Sequence, residues 1–226
     1  MASTLGGLQD YSRLHDRWGS LLGPHVPDLG QIYSTTARVF PDRNRVFRAF
    51  SATPFGQVRV VLLGQDPYDT VGRADGLAFS QPGGVAKRSA LHRLFLNLER
   101  DPNIAFSRPR SGDLTKWAEK GVLLLNAALT VAERVPRSHL AFWQPFTREV
   151  LRSVSSANSR AVFVLLGGDA VKLALPELQG VPDRRIIRAA HPMAGNSGGE
   201  RPFHSVRVFS EVNSVLPANA TVDWSL

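Results

Sequence analysis

The stretch Val58-Arg59-Val60-Val61-Leu62-Leu63-Gly64-Gln65-Asp66-Pro67-Tyr68 joins a short apolar run to a polar turn, and its reading decides the fold. A continuous, β-branched run of this length, bounded by Gly, reads as a strand buried on both faces. Three further runs repeat the pattern. Val122-Leu123-Leu124-Leu125 stops at Asn126, and Ala161-Val162-Phe163-Val164-Leu165-Leu166 stops at Gly167-Gly168. The weaker Arg185-Ile186-Ile187-Arg188-Ala189 stops just before His191-Pro192. Between the runs, Ser89 to Leu98 sets Leu91, Leu94, Phe95 and Leu98 on one helical face, and Phe142 to Val154 does the same with Phe146, Val150 and Val154. Buried strands alternating with helices predict an α/β fold, three αβα layers around a mainly parallel, twisted, four-stranded sheet. Residues 1–226 are read as a single domain. Its first 38 residues form an N-terminal helical region, and Gly23-Pro24, Pro27 and Pro41 break the first 50 residues into pieces.

Composition narrows the function. Lys and Arg number 27 against 19 for Asp and Glu, a formal charge of +8, which favours an anionic partner such as nucleic acid. The absence of cysteine excludes disulfides, a Cys nucleophile, Cys-held zinc and thiolate-held iron–sulfur clusters. No apolar run approaches the roughly 18 residues of a membrane span, and no secretory signal opens the chain. A cytoplasmic protein without membrane contact is the expectation.

In open α/β sheets ligands sit outside the carboxyl ends of the strands. The chemically loaded segments of this chain fall there: Gln65-Asp66-Pro67-Tyr68, Asn126 and His191-Pro192. The stretch Leu63-Gly64-Gln65-Asp66-Pro67-Tyr68, followed by Asp75-Gly76-Leu77-Ala78-Phe79-Ser80, resembles the water-activating motif of the family-one uracil-DNA glycosylases. Further resemblances follow in order: Val46-Phe47-Arg48-Ala49-Phe50 upstream, then Trp117-Ala118, Gly121 to Asn126, Leu129-Thr130-Val131, Ser138-His139, His191-Pro192 and Val222-Asp223-Trp224. They cover roughly residues 39 to 224.

The resemblance implies a hydrolase that flips uracil out of DNA and cuts its N-glycosidic bond. Asp66 would position water and face the sugar cation; taken alone, an Asp before Pro is a turn former. His191 would donate, as a neutral imidazole, to the negative charge growing on uracil O2. The Asn126 amide offers one donor and one acceptor, matching uracil O4 and N3–H and rejecting cytosine. Phe79 would stack on the base, although a lone Phe is more often core. Tyr68 would crowd the C5 edge against thymine, and Gln65 would offer its main-chain N–H. No cofactor or metal is expected, and the protein is read as a monomer acting on single- or double-stranded uracil-containing DNA. Nucleotide binding at Leu166-Gly167-Gly168 is a rival reading that no Walker-type run supports.

The chain departs from the family pattern where DNA should be gripped. Asp69 stands where the family has His, and Lys87-Arg88-Ser89 replaces a Pro-Pro-Ser loop. Gly167-Gly168 stands where the family has Gly-Ser, and Met193-Ala194-Gly195-Asn196-Ser197-Gly198-Gly199 replaces a Ser-Pro-Leu-Ser loop. That loop's Leu fills the hole left by a flipped nucleotide. None is available here, so Met193, Asn196 or Arg201 is expected to substitute, or spontaneously open bases to be captured. These departures leave one alternative: a catalytically weak or inactive uracil- or damage-sensing DNA-binding protein.

Overall fold

The apolar runs form the strands of the main sheet. In a computed structural model that describes residues 17–194 and 200–226, six strands appear: β1 (Val39–Phe40), β2 (Val60–Gly64), β3 (Val122–Asn126), β4 (Val131–Ala132), β5 (Val162–Leu166) and β6 (Ile186–Ala189). Four of them make a parallel sheet in the order β3-β2-β5-β6. Every residue of β2, β3 and β5 is buried, so helices cover both faces, as the unbroken apolar runs require. β6 lies at the edge and exposes Arg188, which is why its run reads weakly. The remaining pair, β1 with β4, is a two-residue antiparallel ladder too short to leave a periodic signal.

The helices follow the same logic. Ser89 caps Ala90–Glu99 by accepting the His92 N–H at 3.1 Å, and Leu91, Leu94, Phe95 and Leu98 are buried. The second expected helix spans Leu140–Ala157, longer than its apolar stripe, and buries Trp143, Phe146, Val150 and Val154. Near the N-terminus, helix Arg17–Leu22 plants Trp18 edge-on between Phe50 and Phe55, with ring centroids 5.0 and 4.8 Å apart. The closing Val222-Asp223-Trp224 is a structural clasp. The Trp224 ring meets Phe209 at 4.8 Å, and its carbonyl accepts from the Trp117 indole at 2.9 Å.

Main-chain pairing continues past the strand ends. Ala127 N–H donates to the Gly64 carbonyl at 2.9 Å, Ala128 N–H to Gln65 at 3.0 Å, and Gly167 N–H to Ala189 at 2.9 Å. The carboxyl edge is therefore held as firmly as the sheet. The chain lays β3 on one side of β2 and β5 on the other, and the resulting switch point opens a crevice where β2 and β5 end. Among the described residues, no helix is long and apolar enough to cross a membrane.

Candidate active site

Asp66 emerges directly from β2 into this crevice. Its Oδ2 accepts from the Arg137 main-chain N–H at 2.7 Å and from the Gln65 side-chain amide at 3.0 Å. Its Oδ1 is buried and has no hydrogen-bond partner among the described residues. One oxygen is thus committed to orientation, and the other remains an acceptor facing away from those anchors. Burial raises the Asp66 pKa, against the lowering pull of its Gln65 and Arg137 contacts. A carboxylate held in a desolvated place interacts more strongly with a nearby cation than one in water.

His191 follows β6 across the same crevice. The Met193 N–H donates to its Nδ1 at 3.2 Å, so Nδ1 is an acceptor and a neutral ring carries its proton on Nε2. Burial lowers the His191 pKa, with the Asp169 carboxylate opposing. Gly167 makes room for this ring: with φ at +101°, its backbone passes so close that an added Cβ would lie 3.0 Å from the His191 Cβ.

A cleft of about 300 Å³ brings these groups together; Asp66, Gln65, Tyr68, Phe79 and His191 all line it. Asn126 lines a narrower cavity behind, of which Pro67, Tyr68 and Phe79 are also walls. Neither end of the Asn126 amide is hydrogen-bonded among the described residues. Gly64 sets amide and ring side by side, since a Cβ there would meet Asn126 Oδ1 at 2.7 Å and the Phe79 ring at 3.0 Å. Phe79 adopts φ of +67°, outside the usual range for a side-chain-bearing residue. Its segment is anchored by Asp75, which is buried, pairs with Arg48, and accepts from Ser80 at 2.8 Å and from the Leu77 N–H at 3.1 Å. The Tyr68 hydroxyl donates to the Phe79 carbonyl at 3.2 Å, and burial pushes its pKa up to about 12.

A model of the uracil DNA glycosylase superfamily matches residues 50–216. A uracil-DNA glycosylase of Campylobacter curvus is 41% identical over 191 residues, 83% of this chain and 80% of that protein. One of Streptococcus uberis is 37% identical over 201 residues, 87% and 88% of the two chains. The chain belongs to the uracil-DNA glycosylase superfamily. The crystal structure of mimivirus uracil-DNA glycosylase shares the fold, with a TM-score of 0.76 at 23% identity, covering 98% of this chain and 87% of that one.

The residues expected to grip DNA divide within this glycosylase fold. Arg88 and Met193 line the cleft, and Arg88 is exposed, as is Lys87 beside it. Ser89 also lines the cleft; its Oγ accepts the His92 N–H as the helix cap, which leaves its O–H as a donor. Gly167 and Gly168 open the short helix Gly168–Ala174 next to His191. Arg201 turns elsewhere: both guanidinium ends pair with Glu211 at 3.1 and 3.0 Å, and it also reaches the Arg188 carbonyl. Asn196 and its glycine neighbours lie outside the described residues.

Sequence reasoning missed Arg137, Asp169 and Arg73. Arg137 adopts φ of +66°, which aims its N–H at Asp66, while its side chain pairs with Asp169 at 3.2 Å. Only its place beside the noted Ser138-His139 hinted at this. Asp69 and Arg73 both line the cleft, a negative and a positive charge on one loop. Among the described residues, the exposed large apolar side chains are Val71, Val135 and Met193, all on loops that ring the cleft.

Proposed function

We propose that this protein excises uracil from DNA by hydrolysis, releasing free uracil and leaving an abasic site. The observation that carries the reading is the pairing, across one cleft, of a carboxylate with one free buried oxygen and a neutral imidazole protonated on Nε2. As the bond between C1′ and N1 breaks, its electron pair leaves with uracil and the sugar becomes cationic. Asp66 stabilises that cation and orients water through Oδ1, and as the C1′–O bond forms the attacking water passes its proton to the Asp66 carboxylate. His191 Nε2–H donates to uracil O2, where the leaving charge collects. Asn126 reads O4 and N3–H, Phe79 supplies a stacking floor, and Tyr68 closes the C5 edge.

DNA would cross the cleft mouth between Arg88 and Arg73, with Lys87 and the Gly167-Gly168 turn near the backbone. Met193, about half exposed at the mouth and tethered to His191, takes the place of the missing Leu wedge. Its flexible thioether fills a vacated base site less firmly than a pre-formed Leu, so open or single-stranded uracil is the better substrate. The protein works as a cytoplasmic monomer on this reading. The test is a uracil-containing oligonucleotide incubated with wild type, Asp66→Asn and His191→Ala, then treated with alkali. Strand breakage at uracil by the wild type, greatly slowed in both variants, is expected; no breakage by the wild type refutes the enzyme.

A further inference from the structure

Beside the cleft lies a second cavity of about 330 Å³ whose charge the proposed chemistry does not use. Arg93 and Asn97 face it from helix Ala90–Glu99 and Arg100 from the cap that ends that helix, at positions i, i+4 and i+7. Arg207 and His204 form the opposite wall. The walls are tied together, because the Asn97 amide donates to the Phe203 carbonyl at 3.2 Å and to the Val206 carbonyl at 2.6 Å. Among the described residues, no Asp or Glu lines the cavity. Among the described residues, the guanidinium groups of Arg93, Arg100 and Arg207 have no hydrogen bond or ion pair.

Arg48, Arg108, Arg148, Arg152 and Arg201 have carboxylate partners, whereas these three arginines converge on one cavity without one. Gathering like charges without a counter-ion opposes folding, so a bound anion is the natural complement. Met193 lines both this cavity and the cleft, so a strand leaving the base site past Met193 passes directly into it.

We propose that this arginine cavity is a backbone-phosphate site for the DNA strand flanking the flipped nucleotide, a part of the grip outside the base pocket. It rests on the glycosylase reading for its substrate and contributes affinity without base identity. The test is equilibrium binding of a long uracil-free single strand, by fluorescence anisotropy across a salt series. Each lost phosphate contact on single-stranded DNA lowers the slope of log affinity against log salt by about 0.7, so the triple variant R93Q/R100Q/R207Q should be shallower by about 2. The single variants should each account for about a third of this. A charge-matched control, R59Q/R160Q/R184Q, alters arginines just before β2, β5 and β6 at the far end of the sheet, and should keep the wild-type slope. On a short oligonucleotide with one nucleotide either side of uracil, kcat/KM should be unchanged by the cavity variant. A wild-type slope in the triple variant, or an equal loss in the control, overturns the site. A shallower slope in a protein that cleaves no uracil would uphold the cavity and refute the glycosylase reading.

Discussion

Replacing Gly167 and Gly168 in turn by alanine separates what the turn does for the imidazole from what it does for DNA. Gly167 has φ of 101° and ψ of 158°, a region open essentially to glycine alone. Holding alanine there costs about 1–3 kcal/mol. The new methyl would also stand 3.0 Å from the His191 Cβ and 3.6 Å from its Cα. The backbone has little freedom to retreat, since Gly167 N–H is bonded to Ala189 and Ala190 N–H to Arg201, both at 2.9 Å. The ring must therefore yield. At about 2–4 °C per kcal/mol for a chain of this size, Gly167→Ala should lower Tm by roughly 2–12 °C. If the Nε2–H donor is lost from the reaction centre, about 2.7–4 kcal/mol of transition-state stabilisation goes with it, a fall of about 10²–10³ in kcat. Gly168→Ala is the internal control, because nothing lies within 4 Å of a Cβ there. It should leave Tm and kcat near wild type and raise KM for DNA, where a methyl obstructs the approach of a phosphate. Calorimetry and single-turnover excision read both variants. A Gly167→Ala protein matching wild type in Tm and rate would refute the packing argument, and an unchanged KM in Gly168→Ala would remove that glycine from the DNA interface.

The pH profile of kcat/KM should rise to a plateau rather than form a bell through neutrality. Asp66 must be ionised, with its pKa raised by burial, and His191 neutral, with its pKa lowered by burial, so both groups need protons removed. A basic limb near neutrality would contradict the assignment. Linkage gives a second reading of Asp66. A raised folded pKa means that ionisation opposes folding as pH rises above the ordinary carboxylate value, so Asp66→Asn should be more stable than wild type at neutral pH and lose that advantage in acid; denaturant midpoints at the two pH values decide it. Asp169→Asn removes the carboxylate that holds the His191 pKa up, so the ring should titrate at lower pH by NMR, and an unmoved or raised pKa would show that Asp169 acts elsewhere. Met193→Ala should slow excision from duplex DNA more than from single strands, and equal losses on both would remove the side chain from the wedge role.

The legibility of the chain divides along physical lines. β2, β3 and β5 announce themselves because burial on both faces demands unbroken apolar runs, and their ends follow at once. From those ends alone Asp66, Asn126 and His191 fall on one edge of a parallel sheet. What the sequence hides is set by backbone conformation and by competing partners. Nothing in the residue type of Arg137 or Phe79 signals a positive φ, yet that geometry delivers the Arg137 N–H to Asp66 and presents the Phe79 ring. Residue type alone does not show that the Ser89 Oγ caps a helix, a duty that the His92 N–H reveals and that leaves its O–H as a donor. Arg201 reads as a free cation until Glu211, on the helix that follows, is found holding both of its guanidinium ends.

This division also explains where the chain has been free to diverge. The base pocket is built on strand termini tied to one another by the continuing ladder at Gly64, Ala127 and Gly167, so altering one of its residues disturbs the sheet edge. The proposed DNA grip stands on loops and on the exposed turn before a helix, where Lys87 and Arg88 make no contact on which the core depends. Substitution there changes charge and shape at little cost to stability. On the proposed reading, a basic turn, a Met at the mouth and an arginine cavity replace hydroxyl contacts and a Leu wedge while the groups around the base stay in place. The salt dependence of DNA binding is where that exchange should be most visible, because charged contacts release counter-ions and hydroxyl contacts do not.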